Sequence, residues 1–227
     1  MRAPVAVALD TPDLALAGRW ARAVTPYVST LKIGLELYYR HGAAAVEQAR
    51  GDSDARLFLD LKLHDIPNTV AGAARALAPL RPDYLTVHAG GGAAMIAAAV
   101  EALPDCLIAA VTVLTSLSEQ DIAAIGLRGP SPDAVRRLAV LAVDAGARAL
   151  VCSPREVVTV RTEVGDGVVL ITPGVRPAGT DTGDQSRVAT PHQAIADGAD
   201  LLVVGRPITG ADDPAGAAAE LARVLAD

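Results

Sequence analysis

Cysteine is scarce in this sequence: Cys106 and Cys152 are the two among 227 residues, and each sits inside an apolar run. Two isolated thiols supply neither a disulfide framework nor a zinc-ligand set, so both are expected as buried core residues. Long hydrophobic stretches are missing as well. The opening segment MRAPVAVALD carries an apolar run too short for a secretion signal or a membrane span. A cytoplasmic protein with no membrane partner is the expectation. No long run carries one sign of charge and only 20% of residues are charged, which argues against disorder. The net charge is −6 with Lys and Arg scattered, so nucleic acid is not an expected partner.

What the chain does have is apolar residue, 51% of the total, in a length that fits one large α/β domain burying about 70% of its unfolded surface. Eight short apolar runs recur: PVAVALD (4–10), STLKIG (29–34), RLFLDLK (56–62), DYLTVHA (83–89), LIAAVTVL (107–114), RALVCS (148–153), VVLITPG (168–174) and DLLVVGR (200–206). Ala-rich stretches with helical periodicity lie between them. In DAGARAL (144–150) and DGADLL (197–202) a helix is expected to stop at glycine and a strand to start within about three residues. Eight alternating strand and helix units predict a (β/α)8 TIM barrel, class α/β, as a single domain over 1–227. A doubly wound open sheet is the weaker alternative, because ALDTPDL stands where a glycine-rich dinucleotide fingerprint would follow the first strand.

The charges fall in a pattern. Alternate residues of a strand face opposite sides, which puts Ala6, Ala8 and Asp10 on one face, Thr30 and Lys32 on another, and Phe58, Asp60 and Lys62 on a third. With the larger aliphatics packed under helices, Asp10, Lys32, Asp60 and Lys62 are expected to point into the barrel at the strand C-terminal ends, where barrel active sites are built. One such residue alone is as readily a structural ion pair. Four on three consecutive strands point to catalysis. A lysine between carboxylates keeps its proton, which suits a proton donor and electrostatic anchor and makes a poor Schiff-base nucleophile. Asp65 lies beyond the strand, before Pro67, and is placed to reach sideways, even out of its own barrel. A metal site is not expected, since the interleaved lysines would repel a divalent cation.

An anion site is expected at the other end of the chain. The long loop PGVRPAGTDTGDQSRVATP (173–191) follows the seventh strand and GRPIT (205–209) the eighth, the loops with which barrels often hold phosphate. Arg206 can fork onto phosphate oxygens, and Gln185 can add a donor from a loop that closes as a lid. His88 is expected inward as a hydrogen-bonded structural residue. His64 is expected to face away from Lys62, and AGGG (89–92) to open a helix.

Taken in order, ALD (8–10), LKIG (31–34), DLKLHDIPNTV (60–70), VTVLTS (111–116), PGVR (173–176), DQSRVATP (184–191) and VVGRPIT (203–209) closely resemble the bacterial-type orotidine 5′-phosphate decarboxylase family. The DxKxxD-I-P-N-T segment is the specific part; Leu63 departs from the Phe of many relatives. The resemblance implies a lyase of pyrimidine biosynthesis that converts orotidine 5′-monophosphate (OMP) to uridine 5′-monophosphate (UMP) and CO2 without a cofactor. It implies Lys32, Asp60, Lys62 and Asp65 as the catalytic array, with Lys62 protonating C6 and Asp65 donated by the partner subunit of a homodimer. It further implies substrate contacts from Asp10 and Lys32 at the ribose, Ile66, Thr69 reaching from the partner, Thr115 at the pyrimidine, and Arg176, Gln185, Gly205 and Arg206 at the phosphate. Two alternatives stay open. One is a Mg²⁺-dependent sugar-phosphate decarboxylase or aldolase on the same barrel, and the other a catalytically silent barrel that binds a nucleotide.

Overall fold

The computed structural model describes residues 2–176 and 189–226. Eight strands, β1 (Ala3–Ala8), β2 (Val28–Ile33), β3 (Arg56–Leu63), β4 (Tyr84–His88), β5 (Leu107–Val111), β6 (Ala149–Val151), β7 (Val169–Pro173) and β8 (Leu201–Val204), pair in parallel and in chain order. Closure comes from β1 against β8, with Val5 opposite Leu202 and Val7 opposite Val204. Helices connect successive strands, so the expected (β/α)8 barrel is what the chain forms. Among the described residues, no helix is long and apolar enough to cross a membrane.

Strand alternation sorts the core into two parts. Val5, Val7, Leu31, Ile33, Leu57, Leu59, Leu85 and Val87 face outward and pack under the helices in one continuous cluster. Ala6, Phe58, Tyr84, Ala109, Ala149, Ile171 and Leu201 face inward and fill the barrel. Phe58, the only phenylalanine, meets Tyr84 edge-on with ring centroids 5.7 Å apart. Small residues opposite two rings satisfy the space inside an eight-stranded barrel. Truncating a ring buried as Phe58 is costs about 3–5 kcal/mol.

The helix-to-strand junctions form where glycine was expected to place them. The helix Ser131–Asp144 is followed by Gly146 at φ +97, and the helix Pro191–Ala196 by Gly198 at φ +107. A residue with a Cβ is disfavoured in that region. Both thiols are buried, Cys106 just before β5 and Cys152 just after β6, and burial pushes each up to about 12.

Strand ends differ from the sequence-based bounds in ways that matter for the site. β1 stops at Ala8, not Asp10: Leu9 still donates its amide to the Lys32 carbonyl at 2.9 Å, but Thr11 then turns back to the Leu9 carbonyl. β5 stops at Val111, although Thr112 still sends its amide, and its hydroxyl too, to the Val151 carbonyl. β8 stops at Val204, and Arg206–Thr209 form one helical turn where a strand end was expected. AGGG folds as a 3-10 turn over Ala89–Gly91, ahead of the helix Ala93–Ala102.

Candidate active site

Four side chains from three strand ends form one line of alternating charge. Lys32 Nζ lies 3.2 Å from Asp10 Oδ1 and 3.2 Å from Asp60 Oδ2, and Lys62 Nζ lies 2.7 Å from Asp60 Oδ1. Lys32 and Asp60 are the buried middle of the line, and Asp10 and Lys62 are its wetter ends. Taking two charges from water costs several kcal/mol each, which only close pairing offsets. Burial alone would depress the Lys32 ammonium, but the Asp60 and Asp10 carboxylates outweigh it and raise its pKa above the ordinary 10.5. Burial alone would raise Asp60, but Lys32 and Lys62 outweigh it and hold the carboxyl below the ordinary 3.8.

These shifts carry a sign for stability. A depressed carboxyl contributes fully above its unfolded value, and the contribution is lost as pH falls through the folded one. A raised ammonium contributes fully below its unfolded value, and the contribution is lost as pH rises through the folded one. Melting temperatures of Asp60→Asn should therefore fall less steeply than those of the wild type between about pH 5 and about pH 3. Parallel slopes would show that Asp60 is not a site of this linkage.

Two cavities meet at this line. The smaller, about 210 Å³, is lined by Phe58, Val111, Val113, Leu114, Thr115 and Cys152 among others, and the larger, about 450 Å³, by Asp10, Lys32, Gly174, Arg176, Gly205, Arg206 and Thr209 among others. Asp60, Lys62, Pro173 and Val203 line both. One cavity is thus mostly apolar with a charged rim, the other polar with two arginines. Such a pair suits a flat ring joined to an anionic tail. A wider surface groove of about 590 Å³ lies away from the strand ends, and its Arg136 and Glu163 already pair at 3.3 Å.

Of the residues singled out from the sequence, Asp10, Lys32, Asp60, Lys62, Thr115, Arg176, Gly205 and Arg206 line these cavities. Asp65, Ile66 and Thr69 do not. They sit in an exposed run at the start of the helix Pro67–Leu77, and Asp65 accepts its neighbour Ile66's amide at 2.6 Å. Ile66 is 66% exposed, unusual for so apolar a side chain. Gln185 lies outside the described residues, as does most of the 173–191 loop. Its described ends are joined, Arg176 donating its amide to the Ala189 carbonyl at 3.0 Å.

Two residues after Lys62, His64 shares that residue's strand parity, not the opposite one that was expected. Its ring lies 5.2 Å from that of His88, which burial, then His64 and Lys62, hold below its usual pKa. Among the described residues, His88 has this ring contact where a hydrogen bond was expected. β3 bulges just before His64: Lys62 adopts φ +48, and the pairing with β4 shifts by two residues between Leu59 and Leu63.

Other positions escaped the sequence reading. Gly34 passes so close to the charge line that a Cβ there would sit 2.7 Å from Asp10 Oδ1 and 3.2 Å from Lys32 Nζ. Thr209 lines the arginine-bearing cavity one helical turn after Arg206. A compositional signal was also available: Lys32 and Lys62 are the only two lysines in the chain, every other strong cation being arginine. Arginine cannot give up a proton in a protein, whereas lysine can.

Fold and site together define a (β/α)8 barrel of the enzyme type, with paired charges gathered at the C-terminal ends of its first three strands, where barrel active sites are built. A model of the orotidine 5′-phosphate decarboxylase / HUMPS family matches residues 3–221. A protein of Thermobifida fusca named orotidine 5′-phosphate decarboxylase is 68% identical over 99% of this chain and 97% of its own length. One of Frankia casuarinae with the same name is 61% identical over 99% of this chain and 88% of its own. A crystal structure of orotidine 5′-phosphate decarboxylase from Lactobacillus acidophilus superposes with a TM-score of 0.85 at 35% identity, covering 99% of both chains. The chain belongs to the orotidine 5′-phosphate decarboxylase / HUMPS family.

Proposed function

We propose that this protein decarboxylates OMP to UMP and CO2 in pyrimidine biosynthesis, as a cytoplasmic homodimer and without metal or cofactor. The observation that carries this reading is the position of Lys62, at the junction of the two cavities and at the end of the alternating charge line. The pyrimidine fills the smaller cavity beside Thr115, the phosphate meets Arg176 and Arg206, and the ribose lies between, against Asp10 and Lys32. The C6–carboxylate bond then breaks above Asp60 and Lys62. Its electron pair stays on C6, and Lys62 stabilises the developing negative charge and delivers a proton to that carbon. CO2 leaves, and the lysine amine recovers a proton from solvent.

Asp60 does two things here. It anchors both lysines, and it places a carboxylate near the one that departs. Large accelerations demand up to about 23 kcal/mol, beyond what one lysine supplies, so phosphate binding has to help organise the site. Arg206→Ala should therefore lower kcat/KM by at least about 100-fold while leaving the melting temperature unchanged, since Arg206 is exposed. Steady-state kinetics with OMP checks this, and a change under threefold would remove Arg206 from the substrate site.

Asp65, Ile66 and Thr69 belong to the partner's site on this reading. Their exposed run, led by Ile66, is the surface that a second copy would cover. The donor chemistry also favours metal-free catalysis, because Asp10 and Asp60 each already hold an ammonium. The test is product identification: UMP and CO2 in equal amounts from OMP support the reading. No turnover of OMP, with Mg²⁺-dependent cleavage of a sugar phosphate instead, would replace it.

A further inference from the structure

The break in register between β3 and β4 falls within the charge line. Leu59 pairs with Leu85 and Leu63 with Val87, so Asp60, Leu61 and Lys62 together face the single residue Thr86. A bulge takes amides out of the ladder, and a buried amide without a partner is costly. It also holds Lys62 at φ +48, a region that residues with a Cβ rarely occupy. Thr86 meets both needs. Its hydroxyl oxygen accepts the Lys62 amide at 2.8 Å and lies 3.1 Å from Asp60 Oδ1.

The direction of these bonds is fixed. An amide only donates and an ionised carboxylate only accepts, so the Thr86 hydroxyl proton points at Asp60. The same Asp60 oxygen takes the Lys62 ammonium at 2.7 Å. Backbone and side chain of Lys62 are thereby tied into one ring through Thr86 and Asp60. Thr86 is wholly buried, so solvent does not share the task.

We propose that Thr86 is a positioning residue for the decarboxylation: its one hydroxyl locks the β3 bulge and so aims Lys62 and Asp60 at the reacting carbon. It lines neither cavity and acts only through those two residues. The claim rests on the decarboxylase reading above. Valine matches threonine in shape but lacks the hydroxyl. In Thr86→Val the part-buried Lys62 amide loses its partner, and the Asp60 carboxylate loses one of its restraints.

The test compares wild type, Thr86→Val, Thr86→Ala and Thr86→Ser in OMP turnover and UMP binding. Misplacing a catalytic group by about 1 Å can cost about 100-fold. Thr86→Val and Thr86→Ala should lose about 10- to 100-fold in kcat with KM and UMP affinity within about threefold, and Thr86→Ser should recover most of the loss. A merely structural role would lower the melting temperature without splitting kcat from KM and without rescue by serine.

Because Lys32 and Lys62 are the only lysines, protein labelled with carbon-13 at lysine Cε gives two side-chain signals. Thr86→Val should move one and leave the other, and serine should restore it. Unchanged kcat in Thr86→Val, serine no better than valine, or two unmoved signals would each overturn the proposal. A folded wild type that binds UMP but does not turn over OMP would overturn the decarboxylase reading and this proposal with it. An active wild type with an unaffected valine variant overturns the positioning role alone.

Discussion

Lys62→Ala should abolish OMP turnover while leaving UMP binding within about tenfold of the wild type. The loss combines two contributions that share one side chain. Positioned proton transfer is worth about 10²- to 10⁴-fold, and a preorganised charge beside a developing anion about 10²- to 10³-fold. A drop of at least about 10⁴-fold in kcat is the expected result. The variant should still fold. Lys62 is the partly exposed end of the charge line, and Asp60 keeps both Lys32 at 3.2 Å and Thr86 at 3.1 Å. Removing Lys32 would be different, because it would leave two carboxylates without their shared partner. The check is stopped-flow or steady-state absorbance with OMP, beside calorimetry with UMP. Residual turnover above about 1% of the wild type would deny Lys62 the central role.

Asp65→Ala should be almost as damaging, for a reason that one chain does not display. Within its own subunit Asp65 lies in an exposed run, bonded to the next amide and outside the lining of either cavity. If a partner barrel receives it, each dimer has two sites built from two chains. Mixing inactive Lys62→Ala with inactive Asp65→Ala subunits then regenerates activity. A heterodimer has one site lacking both groups and one site lacking neither. With random reassociation half the dimers are mixed, so about a quarter of wild-type activity should return. Activity no greater than that of the separate variants would place Asp65 outside the reaction, or confine the site to one chain.

Much of this was legible in the residues because strands sort side chains by parity. Ala6, Phe58 and Lys32 took the inward face as alternation required, and the charges on three strands could be placed at one end before any coordinates. Parity also set the limits. It holds only while the ladder is regular, and the bulge opposite Thr86 is not written in DLKLHD as any turn or glycine signal. His64 was expected to face away from Lys62 although it shares that residue's parity, and its contact with His88 was not foreseen. Gly34 reads as an ordinary helix start, because what excludes a side chain there is Asp10, more than twenty residues away in sequence. The roles of Asp65, Ile66 and Thr69 came from resemblance alone. Apolar exposure at Ile66 shows only after folding.

The account stands or falls on a chain of side-chain charges acting unaided by metal. The most direct measurement is the initial rate of OMP loss, followed by ultraviolet absorbance, after dialysis against EDTA and again with added Mg²⁺. Equal rates with and without the chelator, with UMP as product, are the predicted result. A rate that vanishes with EDTA and returns with Mg²⁺ would contradict it.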